Sequence, residues 1–313
     1  MLAVVESTWD VTSADVTNAA LVVLPSVALL ACVVLHYVAG SAALRAAGGV
    51  QLPWRECTLS QLAVSSANRI LPAGLGGGAL NVRYLMRRGG MAASRAVTAV
   101  TALHLLGALA DVVAFADIVA VATWSGATTA SPWAIAHHIA SSTSALIARH
   151  AVVASVIVLV VVALATALSR RRSPRADHDR PPVCSARLIG AELRALARRP
   201  RDLATLMLSS AATTVTLGLG LAATVIAVAG SGSTPSVLTL LVAYMVGAAV
   251  GNAVPVPSGI GTTDAALVAT VVATGVSLHH ALVSVVIFRI VTFWAPAALG
   301  LPVAAALRRR GAL

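Results

Sequence analysis

Two ionisable side chains stand in stretches of chain otherwise apolar enough to lie in a lipid bilayer: Arg289, within VVIFRIVTFW, and Asp111, within GALADVVAF. A charge at that depth costs at least about 2.5 kcal/mol unless it is paired or hydrated, so each demands a partner or a wet cavity. Arginine offers forked donors that match the oxygens of a phosphate, which makes Arg289 a candidate contact for an anionic headgroup. Asp111 falls on one helical face with Gly107 and His104, at spacings of four, three and seven, and that face is expected to line a cavity. On this reading Asp111 and Arg289 neutralise one another, and His104 is either a hydrogen-bonded neutral histidine or a proton relay. Asp264 sits near the start of a further helix, where a carboxylate suits the positive end of the helix dipole; capping and proton coupling are both open roles for it.

The elements that must position these groups carry a duplicated motif. Asn68-Arg69-Ile70-Leu71-Pro72-Ala73-Gly74-Leu75-Gly76 and Val254-Pro255-Val256-Pro257-Ser258-Gly259-Ile260-Gly261 both reduce to Pro-x-Gly-[Leu/Ile]-Gly, 185 positions apart. At the same offset Gly90 matches Gly275, Ala96 matches Ala281 and His104 falls opposite Arg289. Proline and glycine end helices and free backbone groups that lipid cannot satisfy, so such breaks persist only inside protein or beside water. Paired breaks in two halves of a membrane chain point to a transport site between them. Asn68, Arg69, Pro72, Gly74 and Gly76 in the first half, with Asn252, Pro257, Gly259 and Gly261 in the second, are therefore candidate substrate-binding residues. Arg83 and Arg87, with Arg88, follow the first break and read either as charge anchors on one membrane face or as a headgroup entrance.

Composition places the chain in the membrane: 58% hydrophobic, 11% charged, with a mean hydropathy of +0.89 over 313 residues. Spans are expected at about Ala19 to Gly40, Ala96 to Ala122, Ala151 to Ser169, Ala204 to Ala229 and Ala281 to Ala304, each near the roughly 20 residues that crossing needs. All 22 basic residues are arginine, concentrated at 45–95, 170–201 and 308–310. The positive-inside rule puts those regions in the cytoplasm and the N-terminus outside, with no signal peptide and an external loop from Trp124 to Arg149. Leu59 to Arg88 and Val237 to Val276 must then each enter and leave on one side, as re-entrant hairpins or pairs of short spans. The result is an all-α integral membrane protein, a polytopic helical bundle of one domain over 1–313. Its inverted-topology repeats lie at about 19–122 and 204–304, joined by a cytoplasmic linker at about 170–202 with a short interfacial helix near Ala186 to Arg199.

The run N-x-x-x-P-x-G-x-G-G with Arg83, Arg87, Arg88 and Gly89 after it, and later P-x-P-x-G-x-G-x-x-D with Arg289 downstream, resembles the lysylphosphatidylglycerol synthase transmembrane, or flippase-like, family. The similarity runs from about Ala19 to Arg310. It implies a lipid flippase that moves phospholipid, or a related anionic or aminoacylated lipid, between the leaflets of the bacterial inner membrane. The alternative it leaves is a non-catalytic subunit supporting a glycosyltransferase or another cell-envelope enzyme working on polyprenyl phosphate. Synthase activity is not implied. Ser258, Asp264 and His104 depart from the family pattern.

Other chemistry is poorly represented. The glycines at 74–78 lack the Lys-Ser/Thr of a phosphate-binding loop. His137-His138 and His279-His280 are adjacent pairs, which on a helix diverge and make poor metal sites. Cys32, Cys57 and Cys184 have no ligand spacing and are expected as free thiols. No catalytic triad stands out, so no enzyme, cofactor or metal is expected; the partners are membrane lipids, not nucleic acid. Gly247 and Gly251 form a small-x-x-x-small helix-packing pair.

Overall fold

The computed structural model describes residues 13–70, 75–126, 186–230, 234–253 and 259–313, and all regular structure in them is helical. In order these are α1 (Ser13–Gly48), α2 (Trp54–Ile70), α3 (Leu75–Gly89), α4 (Ala93–Trp124), α5 (Ala186–Ala197), α6 (Pro200–Ala229), α7 (Val237–Ala253), α8 (Thr262–Ala273), α9 (Leu278–Arg289) and α10 (Ala295–Arg309). A π turn, Ile290–Trp294, joins α9 to α10 in one continuous rod. Among the described residues, four helices are long and apolar enough to cross a membrane: Leu24–Gly48, Ala93–Trp124, Pro200–Ala229 and Leu278–Arg309. Their outward sides carry exposed Leu24, Val34, Val112 and Leu299, as lipid-facing surfaces do. The expected span at Ala151 to Ser169, the loop after Gly126, His137-His138 and Cys184 lie outside the described residues.

The offset of 185 recurs in the backbone. The residue that caps α4, Ala92, has φ −61° and ψ 145°, and the cap of α9, Ser277, has φ −61° and ψ 147°. Gly90 and Gly275 both turn the chain with positive φ, 62° and 96°, where a side chain would be strained. The packing repeats as well: one core gathers Met91, Ala96 and Val100, and another gathers Val276, Ala281 and Val285, at the same offset.

Contacts fix the directions. Along α1 and α6, Ala46 and Ala47 pack with Leu206, His36 Nδ1 meets the Thr213 carbonyl at 2.9 Å, and Leu29 and Cys32 abut Gly220. Rising numbers on one meet falling numbers on the other, so these first helices of the two halves are antiparallel. Matching helices of the halves thus point in opposite directions, the inverted arrangement.

The hairpin helices are shorter than the spans: α2 and α7 have 17 residues, α3 has 15 and α8 has 12. At 1.5 Å per residue they run from about 18 to about 26 Å, against a hydrocarbon core of roughly 30 Å. Hairpin one, α2 and α3, starts at the arginine-bearing end, where Arg45 Cζ lies 4.3 Å from the Trp54 ring and Arg88 pairs with Glu56 at 2.7 Å. Hairpin two, α7 and α8, starts at the opposite end, beside the C-terminus of α6 and the N-terminus of α9. Its helices cross closely because Gly247 and Gly251 leave room: a Cβ on Gly251 would stand 2.4 Å from Thr263 Cα. The stretch expected to hold a short helix forms α5, whose Leu196 is buried against Leu206 while Arg187, Arg194 and Arg198 stay exposed.

Two outcomes follow. Gly251→Val must push α7 from α8 and should lower stability by about 1–3 kcal/mol, read as a loss of detergent-stable monodisperse protein on heating. With the arginine-bearing end in the cytoplasm, cysteines placed at Ser125 and His279 in a background without native thiols should react with an impermeant maleimide from outside, and those at Arg87 and Arg309 should not. The opposite pattern turns the molecule over.

Candidate functional site

The last span is broken at its middle by its own sequence. Pro296 has no N–H, so the carbonyl four residues earlier, Thr292, loses its helical partner; the chain responds with a π turn in which Ala295 N–H donates to the Ile290 carbonyl. A free carbonyl at that depth needs a donor, and hairpin one supplies it: Arg69 Nη2 donates to the Thr292 carbonyl at 3.4 Å. Arg69 also bonds the Ser65 carbonyl, one turn back on α2. Next to it, Ser66 Oγ donates to the Ala297 carbonyl at 2.8 Å, and Gly300 packs bare against the Leu62 backbone. The end of α2 is thereby fixed to the midpoint of Leu278–Arg309.

The π turn carries Phe293, whose ring receives two guanidiniums. Arg69 Cζ lies 4.2 Å and Arg289 Cζ 4.0 Å from its centroid. At these distances both guanidiniums gain from the ring's quadrupole. Arg289 Nε also pairs with Asp264 Oδ1. The other oxygen of Asp264 accepts from Gly261 N–H at 3.0 Å, so the carboxylate caps the N-terminus of α8 as well. Of the two roles open to Asp264, capping is present in the structure. The expected pairing of Arg289 with Asp111 is not: Asp264 holds the guanidinium, and Asp111 Oδ1 accepts instead from Thr214 Oγ1 at 2.6 Å, on α6. Asp264 wins because its short helix begins beside α9, whereas α4 presents Asp111 to α6.

Arg69, Arg289 and Phe293 border a cavity of about 390 Å³ lined from both halves, with Asn68 at the end of α2, Asn252 and Thr263 at the tip of hairpin two, and Thr292 on the last span. Asn68 is held by Gly77 N–H, 2.7 Å from its Oδ1, across the tip of hairpin one. That crossing needs Gly76, where a Cβ would meet the Ala67 carbonyl oxygen at 2.2 Å. Gly259 and Gly261 turn the chain into α8 with φ of 61° and 83°. A second cavity of about 450 Å³ takes His104, Gly107 and Asp111 on the shared face of α4, as their spacing requires. Pro72, Gly74 and Pro257 are outside the described residues. Arg83 and Arg87 are exposed near the arginine-bearing end and are not brought to the centre; Arg83 instead lines a separate groove with Arg308.

Several residues of the site were not anticipated: Phe293, Thr292, His36, Tyr37 and Tyr244. Phe293 stands four residues after Arg289, the spacing that stacks side chains on a helix, and His36 is itself ionisable in the first span; both signals were in the sequence. Among the described residues no group of histidine, cysteine or acidic side chains could hold a metal ion, and Cys32 and Cys57 are free thiols.

The fold and this centre define a polytopic helical membrane protein in which two short-helix hairpins meet at a charged cavity. The family model described as the lysylphosphatidylglycerol synthase TM region matches residues 8–300, and the chain belongs to that family. It is a multi-pass membrane protein of a family linked to lipid handling. No curated protein and no solved structure matches it.

Since Asn68 and Asn252 border one cavity from opposite hairpins, cysteines at these two positions should be joined by a short bifunctional thiol reagent in membranes. Absence of a crosslink with reagents of any length would separate the hairpins and dissolve the site.

Proposed function

We propose that the chain translocates an anionic phospholipid between the leaflets of the bacterial inner membrane, with its arginine-bearing end in the cytoplasm. The observation that carries this reading is the pair Arg69 and Arg289 on Phe293, at the meeting point of two hairpins that start from opposite ends. Arg289 pairs with Asp264 and shares the Phe293 ring with Arg69, so two guanidiniums border the cavity where the hairpin tips meet. Forked donors of this kind match the oxygens of a phosphate, and a lipid phosphate is the anion that membranes supply in quantity. The headgroup crosses through the cavity at the hairpin tips, and the inverted halves give two nearly equivalent arrangements that face either side in turn. A purely supporting role for an envelope enzyme would not call for a charged central cavity.

The test is transport of fluorescent phosphatidylglycerol across reconstituted liposomes, read by dithionite quenching per correctly inserted molecule. Arg289→Lys should keep part of the rate because the charge survives without the fork, and Arg289→Gln should lose at least tenfold. The Arg289→Gln, Asp264→Asn double variant removes the orphaned carboxylate, so it should insert normally and still fail to transport. Parental rates in Arg289→Gln, or recovery in the double variant, would leave Arg289 only an ion-pair role.

A further inference from the structure

Beside the cationic cavity lies the second one, of about 450 Å³, and the two share His36, Tyr37, Ser65 and Asn68 in their walls. They differ in chemistry. The second holds no arginine and a single carboxylate; its other polar lining is Gln61, Asn81, His104, Ser210 and Thr213. The bonds present define what it can still offer. Gln61 Nε2 donates to Asn81 Oδ1 at 3.0 Å, which leaves the Gln61 carbonyl as an acceptor and the Asn81 amide as a donor. His36 Nδ1 faces a carbonyl that can only accept, so it donates and leaves Nε2 as an acceptor. Asp111 has one oxygen engaged by Thr214 and the other left to accept. Asn68, whose Oδ1 is taken by Gly77 N–H, adds its amide as a second donor. The walls thus offer both donors and acceptors.

The walls are also kept bare. A Cβ built on Gly40 would stand 3.7 Å from Gln61, and one on Gly107 3.6 Å from Ser210 Oγ, both ordinary contacts. Alanine would fit and is the better helix former, so packing does not account for these glycines as it does for Gly76 and Gly251. Space is what they provide.

Resting on the reading of the first cavity as a phosphate site, we infer that the second receives a polyhydroxylated headgroup, a glycerol, inositol or sugar carried on a lipid phosphodiester. A hydroxyl both donates and accepts, so a polyol matches a wall that offers both kinds of partner. An ammonium donates only, would leave the Asn81 amide unmatched and would sit near two guanidiniums. An alkyl ester would leave the whole polar wall without partners. The volume falls in the range of small-ligand sites and accommodates a ring with bridging waters.

The test is displacement of a bound fluorescent anionic lipid from the detergent-purified protein by phospholipids with identical acyl chains. Phosphatidylinositol and phosphatidylglycerol should compete at least fivefold better than phosphatidylmethanol, which has the same phosphodiester charge and no hydroxyl. Gly40→Ala with Gly107→Ala should weaken phosphatidylinositol several-fold more than phosphatidylmethanol, at an undiminished melting temperature. Equal competition by phosphatidylmethanol overturns the polyol site while the phosphate site stands, and so does stronger competition by phosphatidylethanolamine or an aminoacylated phosphatidylglycerol. If no anionic lipid competes better than phosphatidylcholine, both sites fall. Movement between leaflets is decided separately in liposomes.

Discussion

One missing hydrogen-bond donor organises the centre of this protein. Pro296 removes a backbone N–H from the middle of the last span and leaves the Thr292 carbonyl without its helical partner. Water could satisfy it, as could a side chain, but lipid could not. Arg69 reaches it from the tip of hairpin one, and this ties the first half of the chain to the second. The charge that comes with that donor then has to be accommodated at membrane depth. Phe293 in the π turn does part of this by facing Arg69, and it also faces Arg289, which Asp264 holds from hairpin two. A local backbone defect thereby draws in both hairpin tips, one aromatic ring and three charges.

The hairpins can do this because their short helices end inside the molecule, at Asn68 and Asn252 beside the cavity. A full span presents its ends to the headgroup regions, where water satisfies them; a half-helix ends inside, where its last carbonyls or first amides need protein partners. Asp264 answers the amide at the start of α8, and Asn68 answers Gly77 at the tip of hairpin one. Both side chains are therefore bound into structural roles, and Asn68 borders the cavity as well. Substitution at Asn68 changes the fold and the cavity wall together, and substitution at Asp264 releases Arg289, which does border the cavity, so charge and shape changes have to be separated by paired variants.

Much of this fold was legible in the sequence, for physical reasons. Apolar length gives the spans, arginine distribution gives the end they share, and Pro-x-Gly-x-Gly at a constant offset gives the hairpins. The offset extends to details such as the caps at Ala92 and Ser277 because the same local sequence grammar operates in both halves. The partners of the charges were harder. Arg289 and Asp111 are both deep and of opposite sign, yet depth along the membrane says nothing about position around the bundle. Direction around a helix is set by which neighbours it packs against, and α4 turns Asp111 to α6. The Arg69 contact was hidden for another reason, since it depends on a carbonyl that becomes available only through a proline four residues downstream. Arg83 and Arg87 follow the same motif as Arg69 but sit on the exposed side of α3, where motif proximity does not become proximity in space.

Glycine shows most clearly why a sequence pattern needs its structure. Gly76, Gly251 and Gly300 are places where another backbone comes so close that any Cβ would collide. Gly90, Gly259, Gly261 and Gly275 turn the chain in a conformation that side chains avoid. Gly40 and Gly107 belong to neither set: they are helical, uncrowded and next to polar side chains. In a helix that costs stability relative to alanine, and it costs more entropy on folding as well. Neither packing nor turning offsets that cost, so these two positions matter through the space they leave, which opens toward the cavity that adjoins Arg69 and Arg289.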